Sequence, residues 1–251
     1  MKKSIDFSIV FPVMNQEDHI ETVVTNYHRE LTKNKVSFEL VGVVNCSKDR
    51  SYEILQKVSK KLLGVRCYKL GGCGYGLGIL HGLKKASGKY LCYLNCARIH
   101  PPDLMRALKH FKVDDTHLIH GVRIKRSKKI RRFASLLYNL FFRVIFRIQN
   151  RDINGNPNIF SRKTYENLKL KFTDSMIDLE LLEKSRILNI PVVEVPVFDY
   201  TRHGGRSTTN FKTIFRLLRE LTIYWFKTRI FDWLEKPLSH WSGVIWRIFG
   251  Q

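Results

Sequence analysis

A glycine-rich turn is the first feature of this sequence with evident chemistry. Gly72, Gly74 and Gly76 lie between a short apolar run and a helical segment. Turns of this kind bring backbone N–H groups close to phosphate oxygens at the start of a helix. The same glycines could simply make a tight strand-to-helix turn. Because polar loops with a similar placement occur nearby, we favour contact with a ligand.

Short β-rich runs alternate with helical segments around that turn. The runs are residues 7–13, 38–44, 65–70 and 90–94, the helical segments end near residues 32, 63 and 85, and a further strand is expected near 117–122. This alternation predicts a parallel, doubly wound α/β sheet. Ligands of such sheets bind beyond the carboxyl ends of the strands. Four loops should therefore converge on one crevice: residues 12–17, 45–51, 71–76 and 95–102.

The net charge points to an anionic partner. The chain has 44 Lys and Arg against 22 Asp and Glu, a formal charge of +22 and a pI of about 10.0. Nucleic acid, an anionic membrane leaflet and a phosphorylated substrate all satisfy this charge. The basic residues fall on helical segments that also carry Phe, Leu, Ile and Trp, which favours a lipid surface and makes nucleic acid the weaker rival.

Two basic, amphipathic stretches underlie the expected membrane contact. One covers residues 130–148 and the other covers 211–251, which contains all four tryptophans. The first could instead pack on the sheet with its basic face in water. Lys and Arg interrupt every hydrophobic run, so we expect the chain to lie on a membrane without spanning it. The predicted domains are an α/β domain over residues 1–210 and membrane-associating helices over 211–251.

The cysteines predict a reducing compartment. Cys46, Cys67, Cys73, Cys92 and Cys96 are odd in number, have no paired CxxC spacing and follow no signal peptide. We therefore expect reduced thiols and a cytoplasmic location, peripheral on the inner face of the membrane.

Eight short motifs follow one another along residues 7–210. In order they are residues 11–17 (FPVMNQE), 43–51 (VVNCSKDRS), 72–90, 94–104 (LNCARIHPPDL), 151–157 (RDINGNP), 178–182 (DLELL), 193–197 and 202–207 (RHGGRS). Their order resembles the family 2 glycosyltransferases, especially the polyprenol-phosphate sugar transferases related to dolichol-phosphate mannosyltransferase. The resemblance implies a GT-A α/β sandwich, a nucleotide-sugar donor, a lipid-linked or glycan acceptor, and inversion at the sugar.

The resemblance also implies which residues contact the donor. Nine of them lie on the four loops that should converge, and three lie in the motifs at 151–157 and 202–207: Pro12, Asn15, Glu17, Asn45, Asp49, Gly72, Gly74, Gly76 and Asn95, then Asp152, Asn154 and Ser207. Asp152 and Asn154 could instead only order their own loop through side-chain to backbone hydrogen bonds.

The usual metal ligands of the family are replaced in this chain. The positions that supply two carboxylates and an amide for magnesium or manganese correspond to Asn95, Ala97 and Ile99. These side chains offer no hard anionic oxygen. The acidic residue that the resemblance places in the second loop corresponds to Asn45 or Cys46. We therefore predict no metal ligands and no confident cofactor.

Arginines and two carboxylates are the predicted catalytic groups. The resemblance places Arg98, Arg202 and Arg206 near the donor, where guanidinium groups could stabilise the leaving diphosphate in place of a metal. Asp178 and Glu180 could serve as bases for a hydroxyl acceptor, or could only cap their helix. A second hypothesis is a pseudoenzyme that retains the fold and serves as a nucleotide-binding or scaffolding subunit.

Overall fold

The computed structural model describes residues 5–111, 117–124, 146 and 148–198. The strands are β1 (Phe7–Val13), β2 (Phe38–Asn45), β3 (Val65–Leu70), β4 (Tyr90–Tyr93), β5 (Leu118–Arg123), β6 (Asn158–Ser161) and β7 (Val192–Val197). The helices are α1 (Ile20–Lys33), α2 (Ser51–Lys61), α3 (Tyr75–Lys85), α4 (Pro101–His110), α5 (Arg162–Leu168) and α6 (Ile177–Ile187). Most of the 130–148 stretch and all of 211–251 lie outside the described residues, so the domain boundary at residue 210 stays a prediction.

The seven strands form one mixed sheet in the order β3-β2-β1-β4-β6-β5-β7. The pairs β1–β2, β1–β4, β2–β3 and β5–β7 are parallel, which confirms the predicted α/β class. β6 departs from the expected pattern, because it runs antiparallel to both β4 and β5. It has four residues, too few to give a periodic signal in the sequence.

Helices cover both faces of the sheet. On one face Ile9 and Phe11 of β1 join the buried core under α1, α2 and α4. On the other face Val10 packs with residues of α3 and α6, including Ile79 and Ile177. Because both faces are buried, β1 and β2 are almost continuously apolar. Within the described ranges, no helix has the length and hydropathy needed to cross a membrane.

The strand register brings the loops to one edge. Val13 pairs with Val44 at the carboxyl ends of β1 and β2, and Val10 pairs with Tyr93 at the end of β4. Parallel strands place the loops that follow them side by side. The loops after β1, β2, β3 and β4 therefore lie at the same edge of the sheet, as predicted.

Candidate functional site

Reciprocal hydrogen bonds join the loop after β1 (residues 14–17, the first loop) to the loop after β2 (residues 46–50, the second loop). The backbone N–H of Asn15 donates to the Ser47 Oγ at 3.0 Å, and Asn15 Oδ1 accepts from the Lys48 N–H at 2.8 Å. The Glu17 N–H donates to Asp49 Oδ2 at 3.0 Å. Asn15 adopts a left-handed backbone conformation with φ of 52°. The two loops thus form one hydrogen-bonded surface.

The Asp49 carboxylate accepts hydrogen bonds from the first loop and from Ser51 at the start of α2. Burial alone would raise its pKa, but hydrogen bonds donated by the Ser51 hydroxyl and by the Glu17 and Ser51 amides lower the pKa below its ordinary value. Ser51 Oγ in turn accepts the Gln16 N–H at 2.8 Å. The carboxylate therefore fixes the loops, and its predicted contact with a donor remains a prediction.

Asn45 ties the end of β2 to the glycine-rich turn (residues 71–76). Its amide is 3% exposed and donates to the Gly74 carbonyl at 2.6 Å. Next to it, a Cβ on Gly78 would lie 2.9 Å from the Pro12 Cβ, so α3 approaches β1 closely. Pro12, Asn45 and the glycine-rich turn are brought together as predicted from the topology.

The glycines of this turn pack against the chain itself. The Gly76 N–H donates to the Asp174 carbonyl at 3.1 Å, and the next amide in α3 donates to the Thr173 carbonyl at 2.8 Å. A Cβ on Gly74 would lie 2.2 Å from the Thr173 oxygen. Close packing therefore accounts for Gly74 and Gly76 without a ligand, whereas Gly72 is exposed.

Glu180 holds the segment that covers the glycine-rich turn. Its Oε2 accepts the backbone N–H groups of Lys171 and Phe172, both at 2.8 Å, and Lys184 Nζ lies 2.7 Å from its Oε1. The carboxylate is buried. This positioning role was not predicted from the sequence, because backbone N–H donors leave no residue pattern.

Asp178 is a buried carboxyl whose charge changes near neutral pH. It is 3% exposed, and its Oδ1 accepts the Tyr93 hydroxyl at 2.8 Å. Burial raises its pKa from 3.8 to about 7, while the Tyr93 hydrogen bond and the charge of Arg123 oppose that rise. Tyr93 and Arg123 were not among the predicted site residues, and neither stands out in the sequence from other residues at a strand end.

Asp152 forms a bidentate ion pair with Arg123. Nε lies 2.6 Å from Oδ2, and the Arg123 Nη2 donates to Oδ1 at 2.7 Å. The Asp152 carbonyl is 2.6 Å from Nε2 of the buried His120. Nearby, the Asn154 carbonyl accepts the Asn156 amide at 3.3 Å. The Asp152 carboxylate also accepts the Arg123 backbone N–H at 3.4 Å, which supports the loop-ordering alternative for Asp152, whereas the role of the Asn154 side chain stays a prediction.

The turn after β4 does not fit a divalent metal ion. Asn95 Oδ1 accepts the Ala97 N–H at 3.1 Å, and the Ala97 and Ile99 side chains are 1% and 4% exposed. Two buried alkyl groups and one engaged amide lack the anionic oxygens that magnesium and manganese require. Among the residues that the structure describes, no group of three or more His, Cys, Asp or Glu could hold a metal ion. Arg98 lies in this turn, half-buried.

The remaining predicted residues, Arg202, Arg206 and Ser207, lie outside the described residues.

The prediction of five reduced thiols was wrong for one pair. Cys46 and Cys73 form a disulfide, while Cys67, Cys92 and Cys96 are free thiols. The pair is separated by 27 positions in sequence. Since β2 and β3 are neighbours, the loops that follow them meet, and sequence spacing alone could not reveal this contact.

Comparison with known proteins gives a consistent result. The family model for glycosyl transferase family 2 matches residues 8–166. A dolichol-phosphate mannosyltransferase of Pyrococcus furiosus is 25% identical over 222 residues, which are 85% of this chain and 62% of the relative. The uncharacterized glycosyltransferase YkcC of Bacillus subtilis is 27% identical over 173 residues, 67% of this chain and 53% of the relative. The chain thus spans between half and two thirds of the length of these curated relatives.

Solved structures confirm the predicted GT-A fold. Glucosyl-3-phosphoglycerate synthase from Mycobacterium tuberculosis, in complex with phosphoglyceric acid, has a TM-score of 0.63 at 16% identity, over 81% of this chain and 73% of that one. The same enzyme in complex with Mn²⁺, uridine diphosphate and phosphoglyceric acid also has a TM-score of 0.63 at 16% identity, over 81% and 72%.

Proposed function

Because this chain belongs to glycosyl transferase family 2, we propose that it moves a sugar from a nucleotide-sugar donor to an acceptor bound at the same edge of the sheet. The observation that carries this proposal is the hydrogen-bonded surface of the first and second loops. It lies beyond the carboxyl ends of parallel strands, where α/β proteins bind nucleotides. Its geometry is fixed before any ligand arrives, which lowers the entropic cost of binding.

The leaving diphosphate is stabilised by arginine in this proposal. Negative charge grows on the diphosphate as its bond to the sugar breaks, and a cation already in place stabilises that charge. Arg98 lies within the turn that corresponds to the family's metal motif, and the proposal adds Arg202 and Arg206. The chemistry of Asn95 and its neighbours supports transfer without a metal ion.

The acceptor is a lipid phosphate or a glycan hydroxyl. A phosphate oxygen is ionised near neutral pH and needs no base, whereas a hydroxyl must lose a proton during attack. Asp178 is suited to take that proton, because its pKa of about 7 lies near physiological pH. Glu180 is less suited, since backbone amides and Lys184 already occupy its oxygens. Inversion at the sugar is part of the proposal on family grounds.

We also propose that the chain works on the cytosolic face of a membrane, as a peripheral protein. The formal charge of +22 and the basic, tryptophan-containing stretch 211–251 support attraction to an anionic leaflet. The name of the archaeal relative refers to a lipid phosphate. Co-sedimentation with anionic and neutral vesicles tests this part, and equal or no binding to both would contradict it.

A pseudoenzyme is the second candidate. Asn95, Ala97 and Ile99 at the usual metal positions favour it, because a loss of metal ligands can accompany a loss of catalysis. Such a protein would retain a nucleotide crevice and act as a binding or scaffolding subunit.

A transfer assay separates the two candidates. The full chain is incubated with radiolabelled UDP-, GDP- and dTDP-sugars and vesicles that contain a polyprenyl phosphate or a glycolipid, with EDTA or with manganese. If the proposal is right, one of the sugars is transferred, and the rate of transfer is the same with EDTA as with manganese. Transfer only with manganese would refute metal independence, and nucleotide binding without transfer to any acceptor would favour the pseudoenzyme.

Arg98→Gln tests the leaving-group role. Loss of a charge-assisted contact made only in the transition state should lower kcat by about 100-fold while the donor KM changes little. Arg186→Gln, an exposed arginine at the end of α6, is the matched control. Equal kcat values for the two variants would remove Arg98 from the mechanism.

A further inference from the structure

The Cys46–Cys73 disulfide joins two of the loops at the proposed donor crevice. Cys46 follows β2 and Cys73 lies in the glycine-rich turn after β3, with their Cα atoms 4.9 Å apart. Cys46 is half-buried and Cys73 is exposed. A dissolved reductant can therefore reach the sulfur–sulfur bond.

The other three cysteines are less accessible to thiol chemistry. Cys92 and Cys96 are buried, and Cys67 is half-buried. Burial raises the pKa of Cys67 to about 11 and raises that of Cys92 further still, so both remain protonated thiols at neutral pH. The 46–73 pair is thus the accessible redox couple of the five cysteines.

The two loops differ in how firmly they are held. Hydrogen bonds between the second loop and Asn15 and Glu17 anchor that loop, and none of them involves either cysteine. By contrast, Gly71, Gly72 and Cys73 make no hydrogen bond to any residue within the described ranges. A Cβ added to Gly71 would meet no atom within 4 Å. The Asn45 amide holds the turn only from Gly74 onward, so within the described ranges the disulfide is what joins residues 71–73 themselves to the second loop.

We propose that Cys46–Cys73 is a reversible redox modification site that controls binding of the nucleotide donor. The oxidised pair holds residues 71–73 against the anchored second loop, so the crevice is organised before the nucleotide binds. The reduced pair releases these residues, two of which are glycines with large conformational freedom. The nucleotide must then order them on binding, which weakens its affinity. This inference rests on the proposed nucleotide-sugar function.

The switching reaction is thiol–disulfide exchange with a dithiol. One thiolate of the dithiol attacks one sulfur of the pair and forms a mixed disulfide, and its second thiolate then releases the other cysteine. Two electrons and two protons pass to the protein, so Cys46 and Cys73 become thiols and the dithiol becomes a cyclic disulfide. Reoxidation runs the same exchange in reverse with a disulfide reagent.

The test measures nucleotide binding in both redox states. The full chain is prepared oxidised and after treatment with dithiothreitol, and alkylation followed by intact-mass measurement counts the free thiols. Calorimetry then measures binding of UDP and of GDP. We expect two additional alkylated cysteines after reduction, and a Kd for the bound nucleotide that rises about tenfold.

Variants separate loss of the bond from other effects of the reductant. Cys46→Ser and Cys73→Ser should each bind nucleotide as weakly as the reduced chain and should not respond to dithiothreitol. Cys67→Ser, outside the pair, should respond as the unmodified chain does.

Each other outcome has a defined meaning. Equal affinity in the two states, tighter binding after reduction, or the same thiol count before and after would overturn the redox site and leave the proposed function standing. Absence of nucleotide binding in both states would overturn the nucleotide-donor function, and the redox inference with it.

Discussion

Replacing Asp178 by asparagine should remove a large pH dependence from the stability of this protein. The carboxyl is 3% exposed, and burial raises its pKa from 3.8 to about 7. Its folded-state pKa lies above its unfolded value. Between the two values the folded chain retains a proton that the unfolded chain has released. Stability from this group is therefore fully present at acidic pH and falls as the pH rises toward 7.

The magnitude follows from the width of that window. Each unit of difference between folded and unfolded pKa is worth about 1.4 kcal/mol. Between roughly pH 4 and pH 7 the unfolded state releases a proton that the folded state retains, because ionising the carboxyl in its buried position is unfavourable. Over this range Asp178 should lower the free energy of unfolding by about 4 kcal/mol. Asparagine carries no such proton, so the variant should gain that amount relative to the original protein.

Urea unfolding followed by circular dichroism, repeated across this pH range, measures the difference. Tyr93→Phe is the second arm, because it removes the hydrogen bond that favours the ionised carboxylate. The midpoint of the pH dependence should then move to higher pH. If the free energies of unfolding of Asp178→Asn and the original protein change in parallel with pH, the carboxyl does not titrate in this window and the reasoning fails.

Three further predictions concern the glycine-rich turn and catalysis. Gly76→Ala should destabilise the protein by about 2 kcal/mol, because its Cβ would lie 2.3 Å from the Phe172 carbonyl oxygen. Gly71→Ala, whose Cβ would meet no atom within 4 Å, should change the free energy of unfolding by less than about 0.5 kcal/mol in thermal unfolding. Glu180→Gln should cost about 3 kcal/mol in urea unfolding, because its amide N–H group in place of Oε1 would face the Lys171 N–H and the Lys184 ammonium group. An unchanged midpoint would contradict the positioning role of Glu180. If transfer to a hydroxyl acceptor uses Asp178 as base, kcat should rise with pH up to about 7 and then level off, and a pH-independent kcat would instead favour a phosphate acceptor.

Local patterns were sufficient for the half of the sheet that carries the loops of the proposed donor crevice. Apolar runs and helical periodicity placed β1 to β4 to within a residue or two, and the topology rule for parallel strands then brought their loops together. β6 was missed, because four residues between polar loops carry no periodicity and its pairing with β4 and β5 is a long-range contact.

The side-chain network of the site was less predictable. Nothing in the sequence around Glu180 indicates that two backbone amides nine and eight positions earlier would occupy its carboxylate. The pairing of Arg123 with Asp152 and the disulfide between Cys46 and Cys73 likewise depend on neighbours that only the folded sheet supplies. Residue types therefore indicated which chemistry was available, and the packing decided which groups were already in use.

The reciprocal contacts of the first and second loops affect how donor preference could be re-engineered. Each loop supplies side-chain acceptors for backbone N–H groups of the other. Asn15 accepts a hydrogen bond from the Lys48 N–H, and Asp49 accepts one from the Glu17 N–H. A graft of either segment alone from a relative with another donor would leave N–H groups without partners on the recipient side. If these loops bind the donor as proposed, a change of donor therefore requires that both loops be transplanted together.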